Sequence, residues 1–77
     1  MLQPTEPVID RSLMLADAVR RVRGEFLEMP GLRLTPAQAA RFWAFDTPFC
    51  NEVLASLVDA HFLVCSRGAF VRADGWL

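Results

Sequence analysis

Two threonine–proline pairs, Thr35-Pro36 and Thr47-Pro48, constrain the fold of this chain more than any other feature. Threonine suits the N-cap of a helix because its hydroxyl accepts a hydrogen bond from a backbone N–H that lacks a partner inside the helix. Proline suits the first helical position because no N–H donor is needed there. An apolar run follows each pair, and the two starts are twelve residues apart. That spacing accommodates a short helix, a tight turn and a second helix, as in a helix-turn-helix.

A longer helix is predicted before these two. Apolar side chains between residues 11 and 29 recur at alternating steps of four and three, which aligns them along one side of a helix. The helix is expected to end at Pro30-Gly31, because proline cannot continue it and glycine tolerates the exit geometry. We expect the helix that follows Thr35 to reach about residue 45. The helix that follows Thr47 is expected to reach about residue 60, with Asp46 in the turn between the two.

Short β-strands complete the predicted fold. Leu32-Arg33-Leu34 alternates apolar and polar residues and predicts a small strand that needs a partner. Residues 62–66 and 69–73 predict a β-hairpin with a tight turn at Arg67-Gly68, where glycine supplies a positive φ. The first strand would complete a three-stranded antiparallel sheet. The predicted order is α-β-α-α-β-β, a mainly α domain with a small sheet (α+β) over residues 11–73, between a flexible leader (1–10) and a tail (74–77).

The composition limits the functions that are open to the chain. Its 77 residues include eight arginines, no lysine and nine acidic residues, for a net charge of −1. The chain therefore has no overall attraction for nucleic acid, and DNA binding requires the arginines to gather on one face. Hydrophobic residues make up 53% of the chain, which favours a dense core or a surface covered by a second copy. We find no apolar run long enough to span a bilayer and no signal-peptide pattern.

The order of these elements resembles the winged helix-turn-helix family. The resemblance covers about residues 12–73 and rests on the stretches PGLRLTPAQAARFWAF and TPFCNEVLASLVDAHFLV and on the Arg67-Gly68 tip. The chain is similar to small bacterial winged-helix proteins of unassigned role. In that family the helix after the turn enters the major groove, and the hairpin, called the wing, touches the DNA backbone or the minor groove. The resemblance implies a DNA-associated transcription-type regulator that binds as a dimer.

The resemblance also implies where DNA would be contacted. Contacts would lie on the outer face of the helix after the turn, where Thr47, Asn51 and Ser56 are expected. Asparagine can read adenine, and hydroxyl groups can touch phosphate. Arginines beside that helix would have to supply the attraction to phosphate, and the candidates are Arg33, Arg41, Arg67 and Arg72.

The charge of the helix after the turn favours a different function. This helix contains no arginine or lysine, and both Glu52 and Asp59 would repel a polyanion. The alternative prediction is a protein-interaction module on the same frame. Phe49 lies off the main apolar arc, so it either packs back against Phe45 or is exposed as an interface anchor. The predicted interface residues, which include a tail that can act as a hook onto another copy, are Phe49, Glu52, Trp76 and Leu77.

No residue pattern predicts an enzyme, a cofactor or a metal site. His61 is the one histidine, and we expect it on the apolar arc of the last helix. Cys50 precedes it by eleven residues, about 16 Å along a helix, so the two cannot act together as nucleophile and base. Cys50 and Cys65 lack metal-ligand spacing and are typical of buried thiols in a reducing cytoplasm. We predict no catalytic residue, no metal, no small-molecule ligand and no membrane association.

Overall fold

The computed structural model describes residues 11–73, in which three helices precede a hairpin. The helices are Arg11–Glu28 (α1), Pro36–Trp43 (α2) and Thr47–Asp59 (α3), and the strands are Leu63–Ser66 (β1) and Ala69–Arg72 (β2). The strands form a two-stranded antiparallel sheet. The predicted class, mainly α with a small antiparallel sheet, is confirmed. The predicted leader and the tail with Trp76 and Leu77 lie outside the described residues.

The start of α2 follows the prediction. The hydroxyl of Thr35 accepts a hydrogen bond from the N–H of Gln38 at 3.1 Å, and the side-chain oxygen of Gln38 accepts one from the N–H of Thr35 at 2.9 Å. This reciprocal pair is a complete capping box. The helix ends at Trp43, two residues before the predicted end at Phe45, because Ala44 adopts a left-handed φ of 58°.

The start of α3 differs from the prediction by one residue. The N-cap is Asp46, whose Oδ1 accepts a hydrogen bond from the N–H of Phe49 at 2.9 Å, and Thr47 is already helical. A carboxylate offers the same acceptor as a hydroxyl and adds a negative charge, which the N-terminal end of a helix dipole favours. The hydroxyl of Thr47 is therefore not the cap.

The core is formed by all three helices and the first strand. Completely buried side chains include Phe26 of α1, Ala39 of α2, Leu54 of α3 and Leu63 of β1. Trp43 packs among aromatic rings, with its centroid 6.2 Å from that of Phe26. The neighbouring Phe42 is 54% exposed. Only one of these two adjacent aromatic residues thus faces the core.

The segment before α2 is not the predicted strand. Leu34 forms a single bridge with Phe70, with N–O distances of 3.2 and 2.7 Å between their backbones. The bridge lies on the edge of β2 opposite β1, as a third strand would. The helix begins two residues later at Pro36, which has no N–H to donate to a ladder. The predicted three-stranded sheet is therefore reduced to two strands and one bridge.

The hairpin turn has the geometry that its residues predicted. Arg67 and Gly68 both have positive φ angles, 55° and 79°, as a tight two-residue turn of the primed type requires. Glycine adopts this conformation freely, whereas Arg67 does so at a steric cost. The strands are one residue shorter than predicted, since β1 begins at Leu63 and β2 ends at Arg72.

Candidate nucleic-acid interface

Three of the four arginines proposed to contact phosphate belong to the same region of the fold. The guanidinium Nη2 of Arg33 donates a hydrogen bond to the backbone oxygen of Ser66 at 3.2 Å. Ser66 is the last residue of β1, and Arg67 follows it in the hairpin turn. Arg41, from α2, lines the same groove as Arg33. The bond to Ser66 thus ties the segment before α2 to the hairpin turn.

An open groove of about 520 Å³ lies at the centre of this surface. Its lining contains two guanidinium groups, one carboxamide and one exposed aromatic ring, and no carboxylate. Among residues 11–73, neither Arg33 nor Arg41 lies within ion-pair distance of an acidic side chain. We call this surface, together with the adjacent turn residue, the α2–hairpin face. It consists of Arg33, Leu34, Gln38, Arg41, Phe42 and Arg67.

The structure separates Arg72 from the α2–hairpin face. Arg72 pairs with Leu63 at the open end of the hairpin, whereas Arg67 is in the turn at the other end. The guanidinium carbon of Arg72 lies 5.6 Å from the centre of the Phe62 ring, and that of Arg23 lies 5.1 Å from the same ring. These are cation–π distances. The proposal that Arg72 joins the other three arginines in one rim is therefore corrected.

The three predicted contact residues of α3 do not share one environment. Thr47 and Asn51 are exposed near the N-terminal end of the helix. Ser56 is half-buried and lines a groove between α1 and α3, together with Leu15 and Val19. Ser56 therefore faces α1, and its assignment to the outer face of α3 is corrected. The apolar residues of α1 that cover it were not expected to reach this side of α3.

Glu52 forms an ion pair that the sequence did not predict. The carboxylate Oε1 of Glu52 lies 2.9 Å from Nη2 of Arg11, at the start of α1, and both side chains are about half exposed or more. A pair of this kind adds at most about 1 kcal/mol to stability. Its larger effect is on the charge of α3, because the nearby cation offsets the negative charge of Glu52. No local pattern signals the pair, since its members are 41 residues apart.

Phe49 is not an exposed interface residue. Its side chain is 9% exposed, and its ring packs edge-on against Phe45 with centroids 5.1 Å apart. The guanidinium carbon of Arg11 lies 5.6 Å from the Phe49 centroid. Of the two placements that the sequence left open, the structure selects packing against Phe45. Among residues 11–73, the exposed aromatic residue is instead Phe42.

The two thiols and the histidine have different environments in the described part of the chain. Cys50 is buried, with its Sγ 4.0 Å from the backbone oxygen of Pro36, and burial raises the pKa of its thiol. Cys65 is exposed, which corrects the expectation that both thiols are buried. His61 is also exposed, because the chain turns at a φ of 63° after α3 has ended. The described residues contain no group of three metal-ligating side chains.

Comparison of the chain with protein-family models, with curated proteins and with solved structures finds no match. No helix within residues 11–73 combines the length and the apolar character that crossing a membrane requires.

Proposed function

We propose that this chain is a winged helix-turn-helix module that associates with DNA, as a transcription-type regulator in the cytoplasm. The α2–hairpin face supplies its phosphate contacts. The observation that carries the proposal is the hydrogen bond from Arg33 to the backbone oxygen of Ser66. This bond holds one guanidinium at the hairpin turn, beside Arg67 and on the same groove as Arg41.

The arrangement of the chain supports the winged-helix part of the proposal. Two helices with a short turn between them are followed directly by a hairpin. Leu34 bridges to Phe70 on the edge of β2 that faces away from β1, where the resemblance expects the first strand. The hairpin is a small wing, since it has four residues in each strand and two in the turn.

The charges on the surface support association with a polyanion. Neutralising backbone phosphates with arginine releases counterions, which supplies most of the affinity for DNA. The α2–hairpin face presents guanidinium groups, and none of its residues carries a carboxylate. Arg11 offsets the negative charge of Glu52 on α3. Attraction thus comes from the flank of α3, while the exposed Asn51 and Thr47 supply hydrogen-bonding groups that can reach a base edge or a phosphate.

The test is a titration of random-sequence duplex DNA across a salt series. The wild-type chain is compared with Arg33→Ala/Arg41→Ala and with Arg21→Ala as a control of the same residue type on the exposed side of α1. The proposal predicts that affinity falls with salt, and that the double variant lowers the slope of log affinity against log salt by about 2. We expect the Arg21→Ala control to keep a slope closer to that of the wild-type chain than the double variant does. Absence of binding at low salt, or equal losses in both variants, contradicts the proposal.

A second candidate is a protein-interaction module that uses the same surface. Phe42 is 54% exposed and lines the same groove as Arg33 and Arg41. Aromatic and arginine side chains are enriched where protein interfaces concentrate their binding energy. Phe42→Ala separates the two functions. Phosphate contacts survive the change, so the salt slope for DNA stays the same, whereas a protein interface that is anchored on this ring is lost.

A further inference from the structure

We propose that the α2–hairpin face takes up an unpaired base of DNA, which stacks on the ring of Phe42. This inference rests on the proposed function, because it names what the same groove binds besides phosphate. It starts from a residue that phosphate contacts do not use. Phe42 is 54% exposed, and it lines the open groove together with Arg33 and Arg41.

The Phe42 ring is held in place by contact with a buried aromatic residue. Its centroid lies 5.0 Å from that of Trp43, and the two ring planes meet at 77°. Trp43 is 6% exposed, and its own ring lies 6.2 Å from that of Phe26 in the core. A ring that is ordered before binding loses little conformational entropy when a ligand covers it. The exposed part of Phe42 is therefore a preformed apolar surface.

Gln38 supplies hydrogen-bond donors in the same groove. Its Oε1 accepts a hydrogen bond from the N–H of Thr35 at 2.9 Å, so the capping box occupies the acceptor of the carboxamide and fixes its orientation. Nε2 of Gln38 carries two N–H donors, and it donates to no atom of residues 11–73. Adenine, guanine and thymine all carry acceptors on their edges. Gln38 can thus bond to the edge of a base whose face covers Phe42.

The spacing of these groups matches a single nucleotide. Arg41 and Phe42 follow Gln38 by three and four residues, so both are its neighbours on the surface of α2, with Cβ atoms about 5–6 Å away. A guanidinium suits a phosphate, a carboxamide suits a base edge and a ring suits a base face. A basic groove that contains an aromatic stacking surface is typical of sites for single-stranded nucleic acid.

An unpaired base fits this site better than a base pair does. In a duplex each base face is covered by its neighbours, and exposing it requires the base to be unstacked and unpaired. A base in a bulge or a gap has already lost its pairing partner, so that cost is smaller. Stacking on an aromatic side chain strengthens binding by about fivefold to 100-fold for each base.

The test compares three DNA probes by fluorescence anisotropy with the full chain. They are a fully paired duplex, the same duplex with one bulged thymine, and the same duplex with an abasic nucleotide in the bulge. The two bulged probes carry the same number of phosphates, so the ratio of their affinities reports the base alone. We expect the thymine bulge to bind about tenfold more tightly than the abasic bulge. This ratio should not change with salt, because the phosphate contacts are the same for both probes.

Variants assign the base contact to Phe42. Phe42→Ala is expected to lower the ratio to about one without changing the affinity for the paired duplex, whereas Phe42→Tyr keeps a ring and keeps the ratio. Leu27→Ala truncates another exposed apolar side chain, on α1, and is the matched control that keeps the ratio. Circular dichroism checks that each variant is folded. In the wild-type chain, nuclear Overhauser contacts between the Phe42 ring and the methyl group of the bulged thymine detect the stack directly.

The outcomes separate this inference from the proposed function. A ratio of one in the wild-type chain, with all three probes bound alike, overturns the inference and leaves the proposed association with DNA intact. A tenfold ratio that Phe42→Ala does not reduce also overturns it, because the base then lies elsewhere. Binding to none of the three probes at low salt overturns both and leaves the groove to a protein partner.

Discussion

Arginines have opposite surroundings on two surfaces of the molecule. One is the α2–hairpin face, and the other, here called the α1–α3 side, carries Arg11, Arg23 and Glu52. On the α1–α3 side, Arg11 pairs with Glu52, and the guanidinium of Arg23 lies over an aromatic ring. On the α2–hairpin face, Arg33 and Arg41 line an open groove that has no carboxylate in its lining. The net charge of the whole chain, −1, does not indicate the local charge of either surface. The position of an arginine in the fold therefore decides whether its charge is available to a ligand.

The largest expected contrast is in thiol reactivity, between the buried Cys50 of α3 and the exposed Cys65 of the hairpin. Burial raises the pKa of the Cys50 thiol and shields it from reagents. We expect Cys65 to be alkylated readily in the native protein and Cys50 at least about 10³-fold more slowly, because its modification requires unfolding. Mass spectrometry of peptides after timed labelling measures both rates, and equal rates would contradict the packing of α3.

The same thiol gives a prediction for pH. The folded chain holds the Cys50 proton more tightly than the unfolded chain does, since burial raises the pKa of the thiol in the folded state. The free energy of unfolding is therefore unaffected by this group below its ordinary pKa and falls as the pH rises past that value. Cys50→Ala removes this part of the alkaline decline, whereas Cys65→Ala leaves it unchanged. Urea titrations at neutral and alkaline pH make the comparison.

Charge reversal is expected to affect DNA binding strongly on one side only. Arg33→Glu/Arg41→Glu replaces attraction with repulsion on the α2–hairpin face, and we expect affinity to fall by about 100-fold at low salt, about tenfold for each position. Arg21→Glu makes a reversal of the same sign on α1 and is expected to have less than a tenth of that effect. Fluorescence anisotropy with a labelled duplex measures both, and similar losses would mean that only net charge matters.

Two backbone substitutions test the turns that position the α2–hairpin face. Gly68 has a φ of 79° and Ala44 a φ of 58°, and a residue other than glycine costs about 1–2 kcal/mol in this conformation. Gly68→Ala is expected to lower the free energy of unfolding by about 1 kcal/mol. Ala44→Gly relieves strain at the end of α2 and is expected to raise it by up to about 1 kcal/mol. Chemical denaturation that gives the same sign for both would contradict these turn conformations.

The smallest expected effect concerns the ion pair on the α1–α3 side. Glu52→Gln leaves Arg11 without its carboxylate partner, and we expect the free energy of unfolding to change by less than about 1 kcal/mol. The released positive charge of Arg11 is expected to raise DNA affinity, by less than about tenfold. A decrease in affinity would show that Glu52 itself contacts the nucleic acid.

The features that the sequence predicted are those that depend on neighbouring residues. The capping box between Thr35 and Gln38 lies within one helical turn, and the Arg67-Gly68 turn follows from the conformational freedom of glycine. The start of α3 was misplaced by one residue because Asp46 and Thr47 both offer an acceptor.

The features that the sequence did not predict depend on contacts between distant elements. The partner of Glu52 comes from a helix 41 residues away. Whether Arg72 joins the other arginines depends on the register of the hairpin, which places it at the open end. The exposure of Cys65 likewise depends on which side of a two-stranded sheet is covered. None of these contacts leaves a periodic signal.

An amide NMR titration of the full chain with a short random-sequence duplex tests most directly whether the α2–hairpin face binds DNA. Residues in contact with DNA change chemical shift on binding. We predict that the largest changes cluster in residues 33–42 and 66–68 and at Thr47 and Asn51, and that residues 13–27 of α1 change little. Changes concentrated on α1, or a spectrum that is unaffected by the duplex at low salt, would contradict the central claim that the α2–hairpin face binds nucleic acid.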